Sequence, residues 1–292
     1  MLGRIIQGEL IMRIILAILV ASFITPALAS DAEVASRIEK AMLGDHRSEA
    51  NKARNVYRNP VGTLTFFGLE DGMTVMEISP GGGWYTEILA PAIRGHGQYI
   101  AAGWDTDVEG QPDYVYRLSA AMMEKFQANP ELYDQAAFVP FSPPQSASLG
   151  EAESVDMIVT FRNTHGWIDN DLAEMIFAEF ARVLKPGGIL GLVQHRSGKP
   201  EDPDDLVVRG YVAEETVINI ARDAGLYLEA RSEVNANPKD SHDHEEGVWT
   251  LPPSVDLCED VEDTPDWDAC AAPWLEIGES DRMTLRFRKP MG

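Results

Sequence analysis

Basic residues are scarce in this sequence. Of its 292 residues, 24 are lysine or arginine and 47 are aspartate or glutamate, which gives a formal net charge of −23. Nucleic-acid binding needs a basic face that displaces counterions from phosphates, and no cluster of lysine or arginine is visible. The same shortage disfavours binding to an anionic lipid surface. We therefore expect no nucleic-acid partner, and the charge is typical of a soluble protein.

The N-terminal apolar run is too short to cross a bilayer comfortably. Arg13 precedes the run, which extends over residues 14–24, and Ala27 and Ala29 then occupy the −3 and −1 positions of a cleavage site. The pattern predicts a signal peptide over residues 1–29 and a periplasmic or secreted mature chain that has no membrane partner. An uncleaved membrane anchor is the alternative.

Cysteine is nearly absent. The sequence has two cysteines, Cys258 and Cys270. The residue directly after the predicted cleavage site is Ser30 and not a cysteine, so a lipid anchor is not indicated. In an exported chain, an even count of two favours one disulfide that closes a short loop. Two free thiols are the alternative.

Short apolar segments alternate with helical ones after a polar helical lead-in over residues 31–58. This alternation, with short links, predicts one α/β domain over residues 30–292, with a mostly parallel seven-stranded sheet and helices on both faces. Residues 236–281 interrupt the pattern as a long, acidic, irregular insertion. The predicted strands are 73–79, 98–102, 136–141, 155–161, 189–194, 226–234 and 283–288.

A glycine-rich turn, residues 80–83, follows the first predicted strand and precedes a helix that begins at Trp84. Glycines allow the backbone to approach a ligand closely, and the start of a helix presents free N–H groups. Ligands bind open α/β sheets at the carboxyl ends of the strands. The context therefore favours a binding turn over an ordinary tight turn.

This turn resembles the first motif of the class I S-adenosylmethionine-dependent methyltransferases, acid–x–Gly–x–Gly–x–Gly. Glu77, Gly81 and Gly83 match the motif, whereas Ser79 replaces its first glycine. The likeness extends over roughly residues 60–195 through two further motifs. They are the fourth strand, Val155-Asp156-Met157-Ile158-Val159, and the turn Arg182-Val183-Leu184-Lys185-Pro186-Gly187-Gly188.

More narrowly, the chain is similar to a group of exported bacterial proteins predicted to be methyltransferases. The shared stretches are 81–91, 161–163, 235–240, 247–253 and 278–283. The resemblance implies a Rossmann-like class I methyltransferase fold, S-adenosyl-L-methionine as cofactor and methyl transfer to a small molecule. The cofactor-binding residues it implies are Glu77, Ser79, Pro80, Gly81, Gly82, Gly83, Tyr85 and Asp105.

One position departs from the family. Its members usually end the second strand with an acid that binds the ribose hydroxyls, and here that position falls at Gly103 or Trp104. Asp105 lies just beyond this position and would bind the ribose hydroxyls from there.

Polar residues follow the fourth and fifth predicted strands, at the same edge as the glycine-rich turn. The candidate catalytic residues are Arg162, Asn163, His165 and His195, and His165 lies where many family members carry a histidine. An acceptor that loses a proton needs a base, for which His165 or His195 is suited. The alternative is that these groups cap strand ends.

Two other functions remain open. Export separates the chain from the cytoplasmic supply of S-adenosylmethionine, so an exported binding protein that reuses the fold is one of them. The other is a metal-dependent enzyme that uses the 240–246 loop, where His242 and His244 have carboxylate neighbours. We favour a solvated or lid loop there, with Lys239, Trp249 and Arg282 lining an acceptor pocket, and expect no metal site.

We expect N-terminal sequencing of protein recovered from a bacterial expression host to give a mature chain that starts at Ser30, because Ala27 and Ala29 fit a signal peptidase. An Ala29→Arg variant, which blocks the −1 position, should accumulate uncleaved. Recovery of the wild type with Met1 or Met12 intact would refute the signal peptide.

Overall fold

The computed structural model describes residues 26–198 and 207–292, so most of the predicted signal peptide lies outside the described residues. Its centre is a seven-stranded sheet of order β3-β2-β1-β4-β5-β7-β6. Neighbours among β1 to β5 are parallel, whereas β7 runs antiparallel to β5 and β6. This confirms the predicted mostly parallel sheet. The strands are β1 (Thr74–Ile78), β2 (Gln98–Gly103), β3 (Ala136–Pro140), β4 (Val155–Phe161), β5 (Leu184–His195), β6 (Tyr227–Ser232) and β7 (Arg282–Arg288).

Helices cover both faces of the sheet. In chain order they are α1 (Pro26–Met42), α2 (Glu49–Ala53), α3 (Asn55–Arg58), α4 (Pro60–Phe67), α5 (Thr86–Ile93), α6 (Asp113–Ala128), α7 (Pro130–Tyr133), α8 (Thr164–Asp169), α9 (Ala173–Val183), α10 (Glu214–Asp223) and α11 (Trp267–Ile277). None of these described helices combines the length and apolar character that a bilayer crossing requires.

The alternation of side chains along each strand divides the core in two. Val75 of β1 packs in the cluster beneath α1, α4 and α5, whereas Met76 and Ile78 pack in the cluster beneath α9 and α10. Gly191 of β5 lies where a Cβ atom would come within 2.5 Å of the Phe67 ring, so glycine is needed for α4 to lie on the sheet. Two apolar faces that are both covered are typical of a parallel sheet.

The lead-in over residues 31–58 differs from the single helical segment that was predicted. It divides into α1, α2 and α3, and a further helix, α4, begins at Pro60 where the helix was predicted to break. Asn59, with φ of 37°, turns the chain between α3 and α4 in the left-handed conformation that asparagine tolerates. Proline suits the first position of a helix because its missing N–H is not needed there.

Two further boundaries were wrong. The predicted turn over residues 185–188 belongs to β5, which begins at Leu184 and pairs with β4 through an irregular register between Val155 and Met157. The amphipathic pattern of residues 169–183 predicts a helix there; in the structure this helix, α9, begins later, at Ala173, and the separate α8 precedes it, with Asp171 at φ of 55° between the two.

The insertion, residues 236–281, is ordered by two carboxylates despite its irregular sequence. Asp240 accepts hydrogen bonds from the Tyr211 hydroxyl at 2.9 Å, from His244 Nε2 at 3.0 Å and from the backbone N–H of Asp281 at 2.8 Å. Asp281 in turn binds the guanidinium of Arg196 through both oxygens. The insertion also contains α11, which the sequence pattern did not predict.

A disulfide joins Cys258 and Cys270 and confirms the predicted bridge. It links a 3-10 segment, Asp256–Val261, to α11, and Cys258 is 1% exposed. The bridge thus holds the 3-10 segment and α11 together within the insertion.

Replacing both cysteines by serine should lower the free energy of unfolding by about 3 kcal/mol, because a loop of this length loses about that much closure entropy when it is cross-linked in the unfolded chain. Urea denaturation measures the change. Reductant should lower the wild-type stability by a similar amount and leave the double variant unchanged. Equal stability of the two proteins under oxidising conditions would contradict the bridge.

Glu77 on β1 is buried between the sheet and α5. One oxygen of its carboxyl group, Oε2, accepts hydrogen bonds from Thr86 Oγ1 at 2.8 Å and from the Tyr99 hydroxyl at 2.6 Å. Burial raises the pKa of Glu77 to about 7, although these bonds and the charge of Lys125 act in the opposite direction. In the folded state the carboxyl group is therefore about half protonated near pH 7.

A Glu77→Gln variant should be less sensitive to pH between about 4.5 and 7. In the wild type, the unfolded chain releases the Glu77 proton near pH 4.5 whereas the folded chain holds it to about pH 7, so stability falls as pH rises through this window. The stability of the variant relative to wild type should increase across it by on the order of 3 kcal/mol. Denaturant titrations at pH 4, 6 and 8 measure this difference, and a difference that does not vary with pH would refute the raised pKa.

Candidate active site

The glycine-rich turn follows the predicted course from β1 into α5. Gly81 and Gly83 have φ of 57° and 78°, the left-handed conformation that glycine adopts without steric cost. Ser79, which replaces the first glycine of the motif, has φ of 49° and so adopts the conformation that glycine would provide. A Cβ atom at Gly81 would meet no protein atom within 4 Å, so this point of the turn has open space beside it.

Two cavities lie beside the turn at the carboxyl edge of the sheet. The larger, of about 500 Å³, has an aromatic wall that includes Trp104, Tyr114 and Trp167. The smaller, of about 210 Å³, lies against the turn itself. Ser79 and Asn163 belong to the walls of both, so the ends of β1 and β4 form their common boundary. The larger volume is within the range of roughly 300–1,000 Å³ that is usual for small-molecule sites.

Asn163 fixes that boundary. Its side-chain nitrogen donates hydrogen bonds to the carbonyl oxygen of Ile78 at 3.1 Å and to Thr160 Oγ1 at 3.0 Å. The amide thereby joins the ends of the neighbouring strands β1 and β4. Of the predicted catalytic residues, Asn163 is the one that contributes to both cavities as well as to the sheet edge.

His165 lines the larger cavity, as its prediction as a catalytic residue requires. Burial lowers the pKa of His165, with a further contribution from the charge of Arg162, so its ring is neutral at pH 7. The Gln194 amide nitrogen lies 3.0 Å from the carbonyl oxygen of Gly210 and 3.2 Å from His165 Nδ1. This nitrogen donates to the carbonyl group, and Nδ1 of His165 lies near both ends of the Gln194 amide, 3.2 Å from its nitrogen and 3.5 Å from its oxygen. Gln194 thus holds the neutral ring of His165 in the wall of the larger cavity.

His195 lies deeper in the fold. It is 4% exposed, its Nδ1 pairs with the hydroxyl of Ser280, and it is absent from the walls of both cavities. Burial and the nearby charges of Arg282 and Arg162 hold its pKa well below the usual value. His195 therefore lies behind the wall of the larger cavity, where its ring packs edge to face on that of His165 with centroids 5.7 Å apart.

Arg162 is the fourth predicted catalytic residue, and it lines the smaller cavity. Its backbone is left-handed, with φ of 66°, and its N–H donates to the carbonyl oxygen of Val193 at 2.7 Å. Burial and the charge of Arg282 lower its pKa to about 10, so the guanidinium remains charged at pH 7.

Most of the predicted cofactor-binding residues meet at the smaller cavity. Its wall includes Glu77, Ser79, Pro80, Gly81, Gly82 and Tyr85. Gly83 lies just outside, where its carbonyl oxygen accepts the first bond of α5 from Glu87. Asp105 is also outside both walls, because its Oδ1 accepts a hydrogen bond from the Asp107 N–H at 3.1 Å within its own loop. Glu109 and Gln111, from the same loop, do line the larger cavity.

The lead-in contributes a wall that the sequence analysis missed. Asn51, Arg54 and Arg58 all line the smaller cavity. Trp84 and Tyr85 hold this segment in place, because the Trp84 ring donates to the carbonyl oxygen of Asn51 at 3.0 Å and the Tyr85 hydroxyl to that of Arg58 at 2.9 Å. The available signal was the presence of three arginines, at positions 47, 54 and 58, in a strongly acidic chain.

Glu279, at the end of the insertion, is the carboxylate that pairs with Arg54 and Arg58. It is 1% exposed and pairs with Arg54, Arg58 and Arg282. Although burial opposes its ionisation, the three guanidinium groups hold the pKa of Glu279 well below its usual range. The carboxylate is therefore charged at neutral pH.

The residues predicted to line an acceptor pocket from the insertion are dispersed. Trp249 packs edge to face on His165, with ring centroids 5.9 Å apart, whereas Lys239 is exposed and donates to the carbonyl oxygen of Glu276. His242 and His244 pair with different carboxylates, Asp281 and Asp240. Across residues 26–198 and 207–292, no group of three or more potential ligands is arranged to hold a metal ion, so the metal-dependent alternative lacks a site there.

Comparison with known proteins supports the fold. A scan against family models gives no match, and a search of curated sequences gives none either. Solved structures do match. A [4+2]-cyclase, SpnF, is similar with a TM-score of 0.54 and 15% identity over 89% of this chain and 94% of the cyclase.

Two methyltransferases show a comparable likeness. The geranyl diphosphate C-methyltransferase of Streptomyces coelicolor A3(2), solved with Mg²⁺, geranyl diphosphate and S-adenosyl-L-homocysteine, has a TM-score of 0.53 and 11% identity over 85% of this chain and 87% of its own. An S-adenosylmethionine-dependent methyltransferase of Methanosarcina mazei has a TM-score of 0.50 and 13% identity over 78% and 98%. With the strand order described above, these likenesses show that the chain has the Rossmann-like fold of the class I methyltransferases.

Proposed function

We propose that this protein transfers the methyl group of S-adenosylmethionine to a small molecule. The observation that carries the proposal is the pair of cavities that meet at Ser79 and Asn163, one beside the glycine-rich turn and the other with an aromatic wall. A nucleoside bound to an amino acid needs such a divided site, because its base favours aromatic surfaces whereas its charged end favours backbone N–H groups and polar side chains.

The residues present fit this cofactor. The open space at Gly81 gives its amino-acid end access to the turn, and Ser79 supplies the backbone course of the missing glycine. Trp104 and Tyr114 would face the base. We assign the ribose hydroxyls to Glu109 instead of Asp105, because Glu109 lines the larger cavity and Asp105 does not.

The chain's own residues provide alignment more than acid–base chemistry. When bound, S-adenosylmethionine supplies a methyl carbon that bonds to the acceptor as its bond to sulfur breaks and the electron pair remains on sulfur. Asn163 holds the cavity boundary in place, His165 presents a neutral ring in the wall of the larger cavity, and Trp167 would shield the reactants from water. Such a transfer depends mainly on the alignment of its reactants in a shielded site.

A binding protein that reuses the fold is the second candidate. The position of Asp105 favours it, because the ribose-binding acid typical of the family does not face the cavity. The likeness to a cyclase also shows that the fold is not confined to proteins named as methyltransferases.

We also propose that the protein works in the periplasm or outside the cell. The N-terminal signal pattern supports this location, and so does the disulfide between Cys258 and Cys270, because such bridges persist in oxidising compartments.

Calorimetric titration of the mature protein with S-adenosylmethionine and S-adenosylhomocysteine tests the cofactor assignment. We expect both to bind, and a Gly81→Val variant to lose at least about tenfold in affinity, because the new side chain would fill the space beside the turn.

The matched control is Gly95→Val. Gly95 also has a positive φ, 76°, and open space at its Cβ position, but it lies between α5 and β2, away from both cavities. This variant should have the same backbone strain and bind normally. If neither ligand binds the folded wild type, the methyltransferase function is wrong and the binding protein becomes the better candidate.

A further inference from the structure

Positive charge is concentrated at the smaller cavity, in a chain whose net charge is −23. Arg54, Arg58 and Arg162 contribute to the wall of this cavity. Arg282 lies directly behind them, since it pairs with the same carboxylate as Arg54 and Arg58. We call these four residues the arginine cluster.

The carboxylates near the cluster do not balance its charge. Glu279 pairs with Arg54, Arg58 and Arg282, and a single carboxylate neutralises one of these three charges. Glu77, the other carboxyl group in the wall, has its pKa raised to about 7 by burial and is therefore about half protonated near neutral pH. The cavity thus retains a net positive charge in a largely desolvated setting, where charge is costly unless it is paired.

Several nitrogens of the cluster also lack hydrogen-bond acceptors. Nη2 of Arg54, Nη2 of Arg58 and Nε of Arg282 are buried and unpartnered within the described part of the chain. A buried donor without an acceptor costs roughly 1–3 kcal/mol. These buried atoms are closed to solvent, and the Arg58 guanidinium lies over the Trp84 ring, 4.8 Å from its centroid. Arg58 therefore contributes charge, whereas Arg162 and the partly exposed Arg54 are the cavity-lining members whose donors can reach an anion. The cluster therefore has both the charge and the donors of a site for an oxyanion.

We propose that the methyl acceptor carries an anionic group, a carboxylate or a phosphate, that binds to Arg54 and Arg162 beside the glycine-rich turn. This inference rests on the proposed function and narrows its substrate class. Guanidinium groups suit both anions because their planar donors form paired hydrogen bonds with two oxygens.

The main competing occupant is the carboxylate of the cofactor itself. One carboxylate would neutralise one charge of the cluster, and it would come with the ammonium and sulfonium charges of the same molecule. The cluster would then remain positively charged beside a cationic cofactor. A separate anion on the acceptor removes this imbalance, and it also brings the acceptor next to the turn where the methyl group would lie.

Titration with inorganic phosphate and with acetate, on the free mature protein and on protein saturated with S-adenosylhomocysteine, tests the proposal. We expect at least one anion to bind both forms. An Arg162→Met variant should bind that anion at least about tenfold more weakly, because methionine retains the aliphatic part of the side chain but not its charge. Arg162 forms no ion pair with Glu279, so its removal leaves that carboxylate paired. Preference for phosphate or for acetate identifies which anion the acceptor carries.

Two variants accompany this test. Arg222→Met, which removes an exposed arginine of α10, should leave anion binding unchanged. Arg54→Gln removes a partly exposed member of the cluster and should also weaken anion binding, which provides a second measurement if Arg162→Met does not fold.

The affinity for S-adenosylhomocysteine separates the possible failures. It should change less than about threefold in Arg162→Met if the cluster serves the acceptor. Loss of S-adenosylhomocysteine binding in that variant, with no anion bound by the saturated wild type, would assign the cluster to the cofactor and overturn the proposal. Anion binding that depends on Arg162 in a protein that never binds S-adenosylhomocysteine would overturn the methyltransferase function and, with it, the assignment of the anion to an acceptor.

Discussion

The buried carboxylate of Glu279 is the interaction on which the site depends. It joins Arg54 and Arg58 of the lead-in to Arg282 at the start of β7, and so connects two distant parts of the chain at the smaller cavity. Removing one partner from a buried ion pair leaves an uncompensated charge and is strongly destabilising. The arginines therefore stay at the cavity because Glu279 holds them, although its single charge does not neutralise them.

The insertion follows the same principle. Asp240 and Asp281 each accept several hydrogen bonds, from side chains and from backbone N–H groups, in a segment with little regular secondary structure. Buried carboxylates thus replace the ladders of a helix or sheet as the source of order. The two histidines of the 240–246 loop belong to this network, in which His242 pairs with Asp281 and His244 with Asp240.

The seven strands and their alternation with helices could be predicted from the sequence, because short apolar strands and glycine-rich turns are local signals. The cofactor turn was predicted for the same reason, and residues 79–82 do line a cavity. The role of the lead-in was not predictable in this way. Trp84 and Tyr85 hold the lead-in against the site, and Glu279 pairs with its arginines; such contacts between residues far apart in sequence leave no local pattern. His195 lies deeper than its place at a strand end suggests, because a strand end predicts position along an edge but not depth.

The pairing of the lead-in with Glu279 also governs the time at which the site can form. Arg54 and Glu279 are 225 residues apart, and Arg58 and Glu279 are 221 apart. Contacts between such distant segments form late, because the intervening loop must first be closed. During synthesis, when the chain emerges from its N-terminus, the arginines are exposed long before their carboxylate is made. The central strands can pair earlier, so the smaller cavity is among the last features to be completed, and a chain truncated before Glu279 would present unpaired arginines on an unfinished domain.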